Sequence, residues 1–348
     1  MRKQLIIFVA LLLITFSVSA QKKFSVYAVG FYNQENLFDT CHDAGKNDYE
    51  FLPSGSYHWD GLKYSHKLHN MARALADMAT DKLPNIGCAI IGLSEVENAK
   101  VLDDLTAQPE LKARGYKYVH VEGPDRRGID CALLYNPSLF SVSSVKLVPY
   151  VQRLEKDSAY KSRGFLTVSG TMAGEHVAAI VCHWPSRFSG SFYREVAGEQ
   201  VKALKDSLQK ADPACKIFVM GDMNDDPVDK SMHEKLSAKA EIREVEAGDM
   251  YNPWYNVLVK KGTGTLMYNG AWNLFDQIVM TPNLLNKDNS KDFSTLKYWS
   301  CQIQQMPYLF QTEGKYKGSP KRTTAGGVWQ DGYSDHLPVV VYLLKELR

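Results

Sequence analysis

Asp222 and Asn224, in Gly221-Asp222-Met223-Asn224-Asp225-Asp226-Pro227, directly follow the strongest strand signal of the chain, residues 215–220. A buried strand ending in an acidic, amide-bearing turn puts oxygen ligands and hydrogen-bond donors at the rim of a sheet, where ligands bind. Alternation around Met223 turns both polar side chains to one side while the methionine packs behind them. Alone, such a stretch is an Asx-rich turn closed by proline. Its weight comes from other strand ends that repeat it.

The apolar run 85–93 stops at Ser94-Glu95-Val96-Glu97-Asn98, and a looser strand from 23 to 33 stops at Asn33-Gln34-Glu35-Asn36-Leu37-Phe38-Asp39. A third, 176–182, ends in His183-Trp184-Pro185-Ser186-Arg187. Asp276 is embedded in the apolar run 275–280, and an acid there needs a partner. Ser334-Asp335-His336 precedes the strand 339–343 and supplies acid and histidine together. Asn33, Glu95, His183, Asp222, Asn224, Asp335 and His336 are mostly hard oxygen donors, which suit Mg²⁺ or Mn²⁺, with Ca²⁺ as a further choice, better than zinc. Histidines that exchange protons near neutral pH, beside a cation that polarises an oxyanion, are what hydrolysis of a phosphate ester needs.

Other polar groups carry less. Arg126 and Arg127, in the connection 122–130, form either a phosphate clamp or a salt-bridged hairpin turn. His66 and His69 lie on an amphipathic helix with no third ligand nearby and read as solvated. Lys315, Lys317, Lys321 and Arg322 fall in a polar tract, 287–330, that reads as a solvated loop. Tyr57, His58 and Trp59 could form a rim that meets a substrate.

These groups must be held by alternating helices and buried strands. Helices are expected over 62–78, 99–114 and 192–211, and strand pairs over 116–121 with 131–135 and over 165–169 with 176–182. The chain opens Met1-Arg2-Lys3, is apolar from 5 to 18, and reaches Ser17-Val18-Ser19-Ala20. That reads as a signal peptide over 1–20 cleaved near Ala20, and the apolar run is short for a membrane span, which needs roughly 20 residues. The expectation is an exported protein, periplasmic or extracellular, with no transmembrane segment in the mature chain. Residues 21–348 show no linker or internal repeat and are expected to form one domain, as a monomer. Loss of Arg2 and Lys3 leaves 39 basic against 39 acidic residues. This near neutrality weighs against nonspecific nucleic-acid binding, which draws on a basic surplus. Of six cysteines, Cys88, Cys131, Cys182 and Cys215 lie in apolar strand-like runs and read as packed thiols, with a bridge at Cys41 left open.

Taken in order, N-Q-E-N-L at Asn33, S-E-V-E-N at Glu95, R-G-I-D at Asp130, H-W-P-S-R at His183, G-D-M-N at Asp222, F-D-Q-I at Asp276 and S-D-H at Asp335 resemble the endonuclease/exonuclease/phosphatase superfamily in its exported bacterial, deoxyribonuclease-like branch. The resemblance covers 24 to about 344. It implies an α/β fold: a four-layer sandwich of two mixed β-sheets packed face to face, with helices outside. It implies that Glu95 binds the divalent cation with Asn33 and Asp335 as ligands or near neighbours, and that Asp222 orients or deprotonates the attacking water. Asn224 would hold a phosphate oxygen, Asp276 would pair with His336, and His183, oriented by Glu122, would face the phosphate from the other side. Asp130, Arg127 and Arg187 join Glu122 as candidates for substrate or supporting contacts. Cys182 departs from the branch, where Asn often precedes H-W-P-S-R, and this bears on substrate choice.

The expected activity is therefore divalent-metal-dependent hydrolysis of phosphodiesters, with nucleic acid as the first substrate. A phosphatase or a phospholipid or sugar phosphodiesterase of the same fold is the alternative. A noncatalytic surface-binding module is the reading of another class.

Overall fold

The computed structural model describes residues 22–154, 160–287 and 290–347. The expected signal peptide lies outside the described residues. The first half of the chain forms β1 (Phe24–Leu37), α1 (Gly61–Asp77), β2 (Ile90–Val96), α2 (Ala99–Thr106), α3 (Pro109–Arg114), β3 (Lys117–His120), β4 (Asp130–Tyr135), β5 (Phe140–Val148), β6 (Phe165–Met172) and β7 (Glu175–His183). The second forms α4 (Ser191–Ala211), β8 (Lys216–Asp222), β9 (Ala238–Lys239), β10 (Met250–Tyr251), α5 (Trp254–Lys261), β11 (Leu266–Tyr268), β12 (Ala271–Asn273), β13 (Asp276–Met280), β14 (Lys297–Ile303), β15 (Thr324–Ala325), β16 (Val328–Trp329) and β17 (Val339–Glu346).

Two large sheets carry the fold, one ordered β14-β17-β1-β2-β4-β3 and the other β5-β6-β7-β8-β13-β10-β9. Both are mixed: β1 runs parallel to β2 and β7 parallel to β8, whereas β17 and β13 are antiparallel to their neighbours β1 and β8. Side-chain alternation sorts the layers. On β8, Phe218 and Met220 join the core shared with β1 and β2, while Ile217 and Val219 pack with Val196, Ala197 and Val201 of α4. Period two on a strand demands this division when both faces are buried. Leu68, Met71 and Leu75 of α1 belong to the first cluster, so helix, sheet, sheet and helix succeed one another as expected. The sheets approach closely at Gly92, where a Cβ would lie 2.7 Å from Met220 Sδ. Glycine there admits the facing side chain.

Local chemistry sets the helix ends. Asp60 caps α1 by accepting from Lys63 N at 2.9 Å, and Asn98 caps α2 by accepting from Val101 N at 3.1 Å. Pro109 opens α3 and splits the single helix expected over 99–114, because its ring cannot continue the preceding turn. The tract 287–330 also differs from expectation: it contributes β14, which pairs with β17 at the edge of the first sheet. All six cysteines are free, Cys41 exposed and Cys88, Cys131, Cys182 and Cys215 buried. Among the described residues no helix is long and apolar enough to cross a membrane.

Candidate active site

Sheet register builds the site. His183 at the end of β7 is the partner of Asp222 on β8, and Asp222 is the partner of Asp276 on β13. Residues directly opposite on neighbouring strands turn their side chains to one face, with strands about 4.8 Å apart. Histidine and two carboxylates thus share one rung at the sheet end.

The other sheet brings its own groups. Pairing of β2 with both neighbours slips beyond Ser94, leaving Glu95 in an irregular stretch. Glu35, Asn36, Glu95 and Asn224 all have φ between 45° and 60°. Non-glycine residues rarely adopt this region, and a cluster of them marks a functional site. Asn33 Nδ2 donates to Asp222 Oδ2 at 3.0 Å and to Glu95 Oε1 at 3.4 Å, while its Oδ1 accepts from Glu35 N. The Asn33 amide nitrogen therefore bridges carboxylates from both sheets. Asn36 N donates to the other Glu95 oxygen at 2.9 Å.

Around Asp222 the histidines take opposite characters. His336 Nδ1 meets Asp276 Oδ2 at 2.7 Å, which turns Nε2 toward Asp222 at 3.8 Å and Asp335 at 3.9 Å. Burial works against a charged ring here, yet Asp276 and Asp222 outweigh it and hold the His336 pKa well above its usual value. His183 Nε2 lies 3.6 Å from Asp222 and 3.8 Å from Glu95. Burial, with Arg163 and Arg127 nearby, lowers its pKa well below the usual value and favours the uncharged ring. Asp222 itself is pushed by burial up to about 7, with His336 pulling it down and Asp276 pushing it further up.

Glu95, His183 and Asp222 each offer one atom within 4.8 Å of the others. Two carboxylate oxygens and an imidazole nitrogen fit a small divalent cation such as Mg²⁺ or Mn²⁺. Asp335 stands outside that trio, gripped by Arg322 Nη2 at 3.0 Å. A second group, His120, Glu122 and Asp130, is equally compact but already satisfied. Lys46 pairs with Glu122 at 2.7 Å, and Asp130 accepts from Gly123 N and meets His120 Nε2 at 3.1 Å. It clamps the 122–130 turn.

Several expected contacts differ. Glu122 is engaged by Lys46 rather than His183, whose Nδ1 is buried without a hydrogen-bond partner. Arg187 sits behind the Asn224 turn, bonded to Asn224 O at 3.1 Å, Asp226 at 3.0 Å and Asp229 at 2.8 Å, with its guanidinium over the Phe275 ring. It supports the turn. Arg127 is exposed and donates to Asn36 Oδ1 beside the site. Asn224 gives its backbone N–H to Asp222 Oδ1 at 2.9 Å and one side-chain N–H to Trp184 O at 3.0 Å. His66 and His69 face Asp331 and Glu110 on the exposed side of α1.

Sequence reasoning passed over four groups. Glu35 is buried and accepts from Arg322 Nε and Thr323 N. Burial and Asp335 raise its pKa to about 7. Arg163 is buried against Asp125 and Trp184 O. Lys67 is wholly buried, which lowers its pKa to about 8 against the pull of Glu35 and Asp335. Its signal was legible: Lys67 stands four before Met71, on the apolar stripe of α1. Arg322 lay within the basic tract assigned to solvent.

The model of the family described as Endonuclease/Exonuclease/phosphatase matches residues 28–345. Among solved structures, an endonuclease/exonuclease/phosphatase family protein from Bacteroides thetaiotaomicron is 16% identical, covering 93% of this chain and 100% of that one with a TM-score of 0.55. A mannosyl-6-phosphatase from the same organism is 14% identical, covering 91% and 99%, at 0.55. D. rerio TDP2 complexed with single-strand DNA product is 11% identical, covering 92% and 99%, at 0.53. At such identities these likenesses show the fold. No curated protein matches the sequence.

Proposed function

The chain belongs to the endonuclease/exonuclease/phosphatase family, and from that premise we propose that it is an exported, divalent-cation-dependent phosphoesterase that hydrolyses phosphodiesters, with nucleic acid as the first substrate. One observation carries the reading: His183, Asp222 and Asp276 share a rung that meets Glu95 from the facing sheet and His336 from the segment leading into β17.

Glu95 and Asp222 would hold the cation, with Asn33 and Asp335 beside it, and when bound it would polarise a phosphoryl oxygen. Asp222, poised near neutral pH, orients the attacking water and takes its proton. Asp276 fixes the His336 ring, whose protonated Nε2 faces the charge that builds on the phosphoryl oxygens. His183, whose burial disfavours the charged ring, would donate from the opposite side. Asn224, one amide hydrogen spent on Trp184 O, offers the other to a phosphate oxygen.

A phosphatase or a phospholipid or sugar phosphodiesterase is the second reading, favoured by the balanced charge of residues 21–348. The fold likeness to a mannosyl-6-phosphatase is compatible with it. The test is incubation of the protein with plasmid, a chromogenic phosphodiester, and lipid and sugar phosphates, each with Mg²⁺ and with chelator. Metal-dependent cleavage of plasmid and diester is expected. Turnover of phosphomonoesters alone selects the second reading, and turnover of nothing across metals and pH leaves a binding module.

A further inference from the structure

Residues 321–323 lie in a polar tract, yet their backbone is firmly held. Tyr333 N donates to Lys321 O at 2.7 Å, and a Cβ on Gly332 would fall 2.1 Å from Arg322 O and 2.2 Å from Lys321 O. Only glycine lets the two halves of this loop run so close. Thr323 N donates to Glu35 Oε2 at 2.6 Å, and buried Lys67 donates to Thr323 Oγ1 at 2.5 Å and to Tyr333 O. An ammonium removed from water is costly unless its donors are used. Here they anchor the loop from beneath.

Arg322 projects from this clamp already oriented. Its Nε donates to Glu35 Oε1 and its Nη2 to Asp335 Oδ2, both at 3.0 Å. A guanidinium has five N–H donors in a rigid plane. Nη1 has no hydrogen-bond partner among the described residues, and the side chain is 47% exposed, so one edge of the fork is free toward solvent. From Asp335 the site continues in short steps, 3.9 Å from Oδ1 to His336 Nε2 and 3.8 Å from there to Asp222. Arg322 thus adjoins the site, one carboxylate away from His336. Charge agrees: Lys67 and Arg322 balance Glu35 and Asp335, so an approaching anion does not meet a bare acidic wall.

We propose that Arg322 grips a second phosphate adjoining the one hydrolysed, so that the enzyme selects phosphate esters carrying two phosphates over those carrying one. The proposal rests on the phosphodiesterase reading above and names the substrate class within it. Preorganisation by Glu35 and Asp335 is what a bidentate phosphate contact needs.

The experiment compares the dinucleotide TpT with forms phosphorylated at the 5′ or the 3′ end, using wild type, Arg322→Gln and Arg322→Lys, each checked for an unchanged thermal unfolding profile. Wild type is expected to favour one phosphorylated form in kcat/KM by about tenfold or more, through KM. Arg322→Gln erases that ratio and Arg322→Lys keeps part of it. Absence of a preference in wild type, or its retention in Arg322→Gln, overturns the proposal. If wild type cleaves no dinucleotide, the nuclease reading fails. Calorimetric titration of the same compounds then decides Arg322 separately: a binding preference lost in Arg322→Gln supports it, and a preference retained or no binding at all overturns it.

Discussion

In the proposed reaction Asp222 would have to be ionised to serve a cation and a water, yet it is buried between Asp276 and His336. Its folded pKa, pushed up to about 7, exceeds the unfolded value near 4, so the folded chain holds the proton more tightly. The stability this contributes is complete below the unfolded value and is lost as pH rises through 7. Asp222→Asn, which stays neutral, is therefore expected to be more stable than wild type at pH 8 in chelator, by at most about 4 kcal/mol, and not at pH 4. Urea unfolding at the two pH values checks this, and an equal difference at both would refute it. His336→Ala is expected to lower kcat by about 10²–10⁴ with the fold retained, and to lower the unfolding midpoint because buried Asp276 loses its partner, read by stopped assay and circular dichroism. The residues of this site could be named from sequence because each borders or interrupts an apolar run. Arg322 could not, because its distinction is a backbone clamp made by Gly332 and Lys67, and hydropathy registers only another charge in a polar tract.

At the scale of elements, the buried strands were readable as apolar runs, and the rung of His183, Asp222 and Asp276 lies where two such runs end and a third, antiparallel, begins. β14 escaped notice because it lies at a sheet edge and reads Lys-Tyr-Trp-Ser-Cys-Gln-Ile, with only Ile303 buried. Edge strands pair through backbone and need little apolar content. The division of 99–114 at Pro109 was visible in the sequence, but the apolar period continues across the break and masks it. Contact between β2 and β8 depends on the missing side chain at Gly92, where a methyl would meet Met220 Sδ at 2.7 Å and Phe31 Cδ2 at 3.0 Å. Gly92→Ala is expected to cost about 1–3 kcal/mol in urea unfolding. Because Glu95 follows three residues later on the same strand, the variant should also weaken cation binding, measurable by calorimetry. Wild-type values for both would show that the sheets have slack there.

Across the whole molecule, the sandwich joins residues from opposite ends of the chain: Ser334 Oγ donates to Asn33 O at 2.7 Å. A ligand bound only by the assembled site stabilises the folded chain by mass action. Mg²⁺ is expected to raise the melting temperature progressively with concentration, and Glu95→Gln to abolish most of that rise, read by thermal denaturation with and without chelator. A chain that melts at the same temperature throughout does not carry the cation site at Glu95. How far the sequence disclosed all this has a physical limit: it named most buried strands and the hairpin pairs, but not the long-range neighbours, such as β17 between β14 and β1. That insertion has a further consequence. β17 occupies an inner position of its sheet, so a chain in which it has not docked leaves β1 with one side unpaired and His336, just before β17, out of place. Closure of that sheet and assembly of the proposed site are thus one event, and a partly folded chain has neither.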